Sequence, residues 1–379
     1  MPDERAESYV KGDKSWPVSY QEWETRAGEV LRQRAFDYVA GGAGDESTVH
    51  DNRAAFSRWR LRPRMLTGNT QRDLSVEILG LSSPAPLFLA PVGVQGILHP
   101  DAELPSARAA AAVGLPFITS SCASLPMEEI AEATQDAPRW YQLYWVSDRE
   151  VAASFVKRAE ASGYGAIVLT LDTLTLGWRH RDLRNAYLPF AEGIGIGQFT
   201  SDPVFCAKLE KTPEEDPRAA GTAMLEMFQN LELTWDDIAW LRDQTSLPIL
   251  LKGILRGDDA KRGLDVGADG IIVSNHGGRQ VGGAIASLDA LVDVRDTIGD
   301  NTPVLVDGGI REGSDILKAL ALGANAVMIG RPYVYALAVA GQAGVEQFLR
   351  SLLMDLDATA ALSGVAGWAD LNRDLVTKV

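Results

Sequence analysis

The chain has 379 residues, 46% hydrophobic and 23% charged, enough to bury a large core and unlike the compositions of disordered, collagenous or coiled-coil chains. Its 36 Lys+Arg against 51 Asp+Glu leave a net charge of −15, which speaks against nucleic acid or an anionic membrane as partner. With Cys122 and Cys206 as the only cysteines, no disulfide framework exists and a reducing cytoplasm is the expected compartment. No apolar run approaches a membrane span, and the polar start MPDERAESYVKGDKSW lacks the apolar stretch of a signal peptide.

Taken in chain order, residues 1–80 precede the first strand pattern and read as helical, notably YQEWETRAGEVLRQRAFDYVAGG. Eight short apolar runs follow: LFLAPVGV from Leu87, PFITSSC from Pro116, RWYQLYW from Arg139, AIVLTLD from Ala166, PILLKGI from Pro248, GIIVSNHG from Gly270, PVLVDGGI from Pro303 and AVMIGRP from Ala326. Continuous apolar runs of this length fit strands buried on both faces, as in a parallel sheet. The segments between them look amphipathic and helical, for example Asp148 to Gly165 and Gly313 to Asn325, and several end in the glycine of a helix C-cap. Eight alternating units predict an α/β fold, a (β/α)8 TIM barrel over 81–379, with an N-terminal helical segment (1–80) packed on it. A doubly wound open sheet is the alternative. Residues 173–247, between strands four and five, form a long insertion expected to act as a lid. Within it, GIGIGQF follows no strand and reads as a flexible hinge rather than a dinucleotide fingerprint.

Polar residues in apolar strands are costly unless paired or used. Here they gather at the C-terminal strand ends, the catalytic face of a barrel: Ser120 and Ser121, Gln142 and Tyr144, Thr170 and Asp172, Lys252, Ser274 to His276, Asp307 and Arg311, and Arg331. Asp307-Gly308-Gly309-Ile310-Arg311 and Gly330-Arg331-Pro332 put glycines and arginines after strands seven and eight, where barrels bind phosphate. His276, at the barrel mouth, is a natural general base, Asp172 can stabilise the imidazolium, and Arg279 and Arg179 can hold an anionic substrate. His50, His99 and His180 lie in loop-like polar surroundings and read as surface or structural residues. Without CxxC, HExxH or G-x-S-x-G, no metal site and no serine-hydrolase elbow is expected.

The motifs SNHGGRQ, DGGIR, GRP, LKGI, YQLY and LTLD together resemble the FMN-dependent L-2-hydroxy acid oxidising family, from about Tyr20 to the C-terminus. A narrower resemblance, to the lactate 2-monooxygenase branch, rests on YVAGGAGDE, RPRMLT, RDLSVE, LDTLTLGWRHRDL and SDPVF. The resemblance implies FMN as cofactor, lined by Pro91, Val92, Gly93 and Ser120 and contacted by Ser274. Gln142 and Thr170 would meet its pyrimidine edge, Lys252 its N1 and O2, and Asp307, Gly309, Arg311, Gly330 and Arg331 its ribityl phosphate. It further implies His276 as base with Asp172 as partner, Arg179 and Arg279 as carboxylate clamp, and Tyr38 and Tyr144 as hydrogen-bond donors to the substrate. Two departures stand out: Cys122 where glycolate oxidase has tryptophan, and Gly93, expected to leave room near flavin N5, where many oxidases have alanine.

The expected activity is oxidation of a small 2-hydroxy acid, L-lactate above all, with O2 as acceptor and decarboxylation to acetate, CO2 and water. An oxidase releasing the keto acid and H2O2 is the alternative. A non-redox barrel isomerase or lyase, and a barrel kept as a binding module, are more distant readings. A homo-oligomer, tetramer or octamer, is also expected.

Overall fold

In a computed structural model, residues 16–379 are described; the polar start read above as lacking a signal peptide lies, through residue 15, outside them. Eight strands close a parallel barrel: β1 (Leu87–Leu89), β2 (Phe117–Ser120), β3 (Arg139–Tyr144), β4 (Ile167–Thr170), β5 (Ile249–Ile254), β6 (Gly270–Val273), β7 (Val304–Asp307) and β8 (Ala326–Ile329). Every expected strand is present. β8 closes the barrel on β1 through Val327↔Leu87 and Ile329↔Leu89. The fold is the (β/α)8 TIM barrel, not the open sheet.

The period of two along a strand sorts its side chains. On β3, Tyr141 and Leu143 pack outward against helices, whereas Trp140 belongs to an apolar cluster inside the barrel and Gln142 and Tyr144 follow on the same face. The inner cluster also contains Phe88, Ile118, Val168, Leu250, Ile272, Leu305 and Ala326, one from each remaining strand. On five of the eight strands the next inward position is polar: Ser120, Gln142, Thr170, Lys252 and Asp307; Ser274 follows directly after β6. At β5 the register slips beside Gly253, whose φ is 100°. A Cβ there would lie 2.9 Å from Asp172 N, so glycine is what lets the β4 end approach.

The helices obey local rules. Asp148 caps the helix Arg149–Ala161 by accepting from Glu150 N and Val151 N, and the helix buries Val151, Phe155 and Val156. The N-terminal segment supplies α1 (Tyr20–Val30), α2 (Gln33–Ala40) and α3 (Ser47–Ser57), and also strands that its helical reading did not include. Trp59–Leu61 pairs with Val376–Lys378, and Val76–Ile78 forms a hairpin with Leu81–Ser83. Ile78 and Leu81 join the inner barrel cluster, so the hairpin plugs the barrel floor. The boundary expected at 80/81 falls within that hairpin, between its turn residue Gly80 and Leu81, so the two halves are continuous there.

The insertion is a chain of short helices with one longer one, Pro217–Phe228. GIGIGQF is not a free hinge. Ile196 to Phe199 are buried, a Cβ on Gly195 would meet Val94 Cγ1 at 2.2 Å, and one on Gly197 would meet Ser124 O at 2.5 Å. These glycines permit close packing on the loop after β2. Gln198 fixes the contact, accepting from Met127 N and donating to Leu125 O.

Candidate active site

The strand ends open into a cavity lined by residues of all eight strand ends or the loops that follow them, among them Val92, Ser120, Tyr144, Lys252 and His276. His276 leaves β6 in a left-handed turn with φ 58°. Its Nδ1 lies 2.8 Å from Asp172 Oδ1 and 3.3 Å from Thr173 Oγ1, and its Nε2 lies 3.2 Å from the Tyr144 hydroxyl. Burial pushes the Asp172 carboxyl up. The charges of His276 and Lys252, with hydrogen bonds from His276 and Thr173, outweigh burial and hold it at about 2. An ionised Asp172 takes the Nδ1–H, which leaves Nε2 as the free base facing the cavity. Burial, opposed by Asp172 and helped by the charges of Lys252 and Arg279, lowers the imidazole pKa, so His276 is neutral near pH 7. That is the form a general base needs.

Beside the base lies a cationic pair. The Tyr38 ring from α2 has the Arg279 guanidinium 4.9 Å and the Arg179 guanidinium 5.5 Å from its centroid. Arg279 Nη1 donates to the carbonyls of Tyr38 and Gly41, and Arg179 Nη1 donates to Asp182 Oδ2 at 3.1 Å. Burial and the neighbouring Arg179 charge bring Arg279 down to about 10. Two arginines so placed favour an anion between them. The roof comes from the insertion: Phe190 and Phe228 (centroids 6.5 Å apart), with Phe228 edge-on to Tyr144 at 4.9 Å and Leu176 beside them.

Deeper in the barrel, Lys252 Nζ donates to Ser274 Oγ at 2.9 Å and stands 3.5 Å from Asp307 Oδ2. Ser274 Oγ donates to Asp307 Oδ1 at 2.6 Å and accepts from His276 N at 3.0 Å. With one donor and two acceptor positions filled, that hydroxyl has no donor for a cofactor. Ser274 holds Lys252, Asp307 and the His276 turn together. The Asp307 carboxylate suits hydroxyl donors better than a phosphate, whose like charge it would repel. Ser120 Oγ and Ser121 N both donate to Gln142 Oε1. By contrast, Gln142 Nε2 and Thr170 Oγ1 are buried with no hydrogen-bond partner. Such groups are rare unless a ligand answers them.

Gly308 (φ 97°) and Gly309 (φ 88°) line another part of the cavity together with Gly330, Arg311 and Arg331. The Arg311 guanidinium stacks 3.9 Å from the Tyr20 ring centroid. Arg331 gives Nε, Nη1 and Nη2 to the carbonyls of Val39, Gly277 and Gly41, which leaves two of its five N–H donors. Pro91, Val92 and Gly93 line the cavity as expected, but Gly93 does not leave open room. A Cβ there would sit 2.6 Å from Cys122 O, so the loop after β2 fills that space. Cys122 is buried, which pushes its thiol pKa up and makes it a poor nucleophile. His50 and His180 are exposed and His99 half-buried, all outside the cavity lining. Phe190 and Phe228 escaped the sequence reading, for nothing in LPFAEG or EMFQN marks them.

A family model described as FMN-dependent dehydrogenase matches residues 27–378. Over 359 residues the chain is 45% identical to an FMN-dependent alpha-hydroxy acid dehydrogenase of Penicillium citrinum, spanning 94% of this chain and 89% of that protein. It is 42% identical over 369 residues to an L-lactate oxidase of Lysinibacillus sphaericus, spanning 97% and 95%. A crystal structure of mandelate oxidase with (S)-4-hydroxymandelic acid superposes with a TM-score of 0.85 at 38% identity, covering 96% of this chain and 99% of that one. The chain belongs to the FMN-dependent dehydrogenase family, and it is an FMN-dependent oxidoreductase of 2-hydroxy acids. The cavity fits FMN: the unanswered Gln142 amide and Thr170 hydroxyl suit a flavin's pyrimidine edge, and the Gly308–Gly309 cradle with Arg311 suits its phosphate.

Proposed function

We propose that the substrate is an L-2-hydroxy acid with a short apolar side chain, L-lactate above all, and that the keto acid is retained and decarboxylated. The observation that carries the substrate reading is the chamber itself. His276 and the Arg179–Arg279 pair flank a space roofed by Leu176, Phe190 and Phe228, all three apolar. FMN, when bound, supplies the acceptor for two electrons from the substrate and passes them on to oxygen. Pro91, Val92, Gly93 and Ser120 would line it, Gln142 and Thr170 would meet its pyrimidine edge, and Lys252 would stabilise negative charge there. Asp307 would take ribityl hydroxyls; Gly309, Arg311, Gly330 and Arg331 would hold the phosphate.

The chain's own groups do the rest. Arg179 and Arg279 grip the carboxylate, and the Tyr38 and Tyr144 hydroxyls orient the substrate. His276 Nε2 takes a proton, and the adjacent Asp172 carboxylate stabilises the resulting imidazolium. Exclusion of water beneath Phe190 and Phe228 favours a keto acid that stays long enough for hydrogen peroxide to attack its keto carbon, so that pyruvate and peroxide give acetate, CO2 and water. Oxidase chemistry is the second reading, favoured by the relatives named L-lactate oxidase. Product analysis with L-lactate under air decides. Acetate and CO2 with little peroxide support retention, while stoichiometric pyruvate and peroxide leave the oxidase standing. No turnover of any 2-hydroxy acid would overturn the substrate reading.

No helix among the described residues is long and apolar enough to cross a membrane, and the free Cys122 and Cys206 support a reducing compartment such as the cytoplasm. Trp178 and Val281, 70% and 64% exposed, support a homo-oligomer, tetramer or octamer, which light scattering would test.

A further inference from the structure

Asn52 lies on α3 and is buried, packed against Gly308, where a Cβ would lie 3.2 Å from Asn52 Cγ. Its side chain and that of Asn275 exchange two hydrogen bonds: Asn52 Nδ2 donates to Asn275 Oδ1 and Asn275 Nδ2 donates to Asn52 Oδ1, each at 2.8 Å. Asn52 Oδ1 also accepts from Ser287 N at 3.1 Å, and Asn275 Nδ2 also donates to Ile285 O at 3.0 Å. Asn275 Oδ1 accepts a second bond, from Gly278 N at 3.1 Å. Neither amide could flip without setting donor against donor, so the network fixes both.

What that network holds is an unfavourable turn. His276, Gly277 and Gly278 have φ of 58°, 62° and 79°. The left-handed conformation is unfavourable for a non-glycine residue and persists only where surrounding structure imposes it. Asn275 bridges the turn through Gly278 N, and Asn52 holds Asn275. The clamp has its own tether, since the Arg279 side chain donates to the carbonyls of Tyr38 and Gly41. Shortening Asn52 should therefore loosen the imidazole and leave the guanidinium where it is.

We propose that Asn52 is a positioning residue for proton transfer, acting through Asn275 to hold the His276 turn and thereby the imidazole against Asp172. The inference rests on His276 as the base. The test uses the FMN-loaded protein with Asn52→Leu, which keeps the length without polar atoms, and Asn52→Ala should the leucine variant not fold. Three quantities are measured: anaerobic single-turnover flavin bleaching by L-lactate per bound flavin, oxalate affinity from the flavin absorbance, and the downfield Nδ1–H proton of His276, assigned by its absence in His276→Ala. Bleaching should slow by about 10- to 100-fold, as expected for a slight misplacement of a reacting group, with oxalate affinity unchanged and the proton signal broadened. A merely structural role would lower the folded fraction but leave the rate per bound flavin and the proton signal intact, and that result overturns the inference. So does a parallel loss of oxalate binding. Adding Asn52→Leu to His276→Ala should cause no further slowing; an additive loss would show that Asn52 does not act through His276. If His276→Ala itself bleaches at the wild-type rate, the base assignment fails, and that failure is distinct from a wild-type rate in Asn52→Leu alone.

Discussion

The floor and the mouth of the barrel are built by the same eight strands, two residues apart. At the floor, Phe88, Ile118, Trp140, Val168, Leu250, Ile272, Leu305 and Ala326 meet Ile78 and Leu81 of the hairpin, and the Trp140 indole N–H is the polar atom left unpartnered there. One inward step later, about 6.6 Å along a strand, stand Ser120, Gln142, Thr170, Lys252 and Asp307, with Ser274 just past the end of β6. That layer carries a four-membered network and two unanswered polar atoms. Stability is therefore concentrated in one layer, and the next gives some of it up to hold a ligand. A substitution should show which layer it belongs to by what it damages.

The largest expected separation is at the mouth. His276→Ala should keep FMN and the melting temperature but slow flavin reduction by about 10²–10⁴-fold, the loss expected when a general base is removed. Bleaching near the wild-type rate in stopped flow would undo the assignment. Phe88→Ala is its counterpart at the floor. Phe88 packs against Trp140 with the rings tilted and centroids 4.9 Å apart and is fully buried, so the cavity should cost about 3–5 kcal/mol of stability, with the reduction rate per bound flavin retained. If denaturant unfolding shows no loss, or if turnover falls instead, the two layers are not separable.

The legibility of the chain follows the same division. Strands buried on both faces read as unbroken apolar runs, so all eight could be placed from sequence, and a polar residue at the last inward position of such a run stands out against it. Asp172 and His276 could each be picked out at a strand end, and the structure brings them together across 104 residues. Three-residue strands such as Val76–Ile78 carry no period to read. Phe190, Phe228 and Asn52 look like ordinary core or helix residues until the insertion and α3 are folded over the mouth. The saturation of Ser274, and the crowding of Gly93 by Cys122, are properties of neighbours distant in sequence and leave no local mark.

A third experiment probes the support beneath the mouth. Glu103 is buried and its Oε1 accepts from Gln95 N at 3.1 Å and Ser124 N at 3.0 Å, tying the loops after β1 and β2, while Oε2 has no partner. Burial raises the carboxyl to about 7 despite those N–H donors. A raised acid means that the folded state binds more protons than the unfolded state between the ordinary value of 4.5 and about 7. Stability should thus fall as pH rises through that window, by on the order of 3 kcal/mol. Glu103→Gln removes the titration, so the stability difference between variant and wild type should grow in the variant's favour from pH 5 to pH 8. Parallel pH profiles of the two melting temperatures would contradict this.

The smallest effect expected is at the clasp between the N-terminal segment and the roof. Arg34 of α2 forms a two-pronged pair with Glu192 at 2.6 and 3.0 Å and lies 4.4 Å over the Tyr187 ring, which meets Tyr38 edge-on at 6.1 Å. Both ends of the pair are about 40% exposed, so water and salt screen it, and it should be worth no more than about 1 kcal/mol. That is still about a fivefold change in a two-state population of closed and open roof. Arg34→Ala should therefore raise the ratio of free pyruvate to acetate from L-lactate severalfold, while flavin reduction and thermal stability stay near wild type. High salt should reproduce part of the shift in the unmodified protein and add little in the variant, because the interaction it screens is already gone. A product ratio that responds to neither change would mean that this clasp does not set the fate of the keto acid.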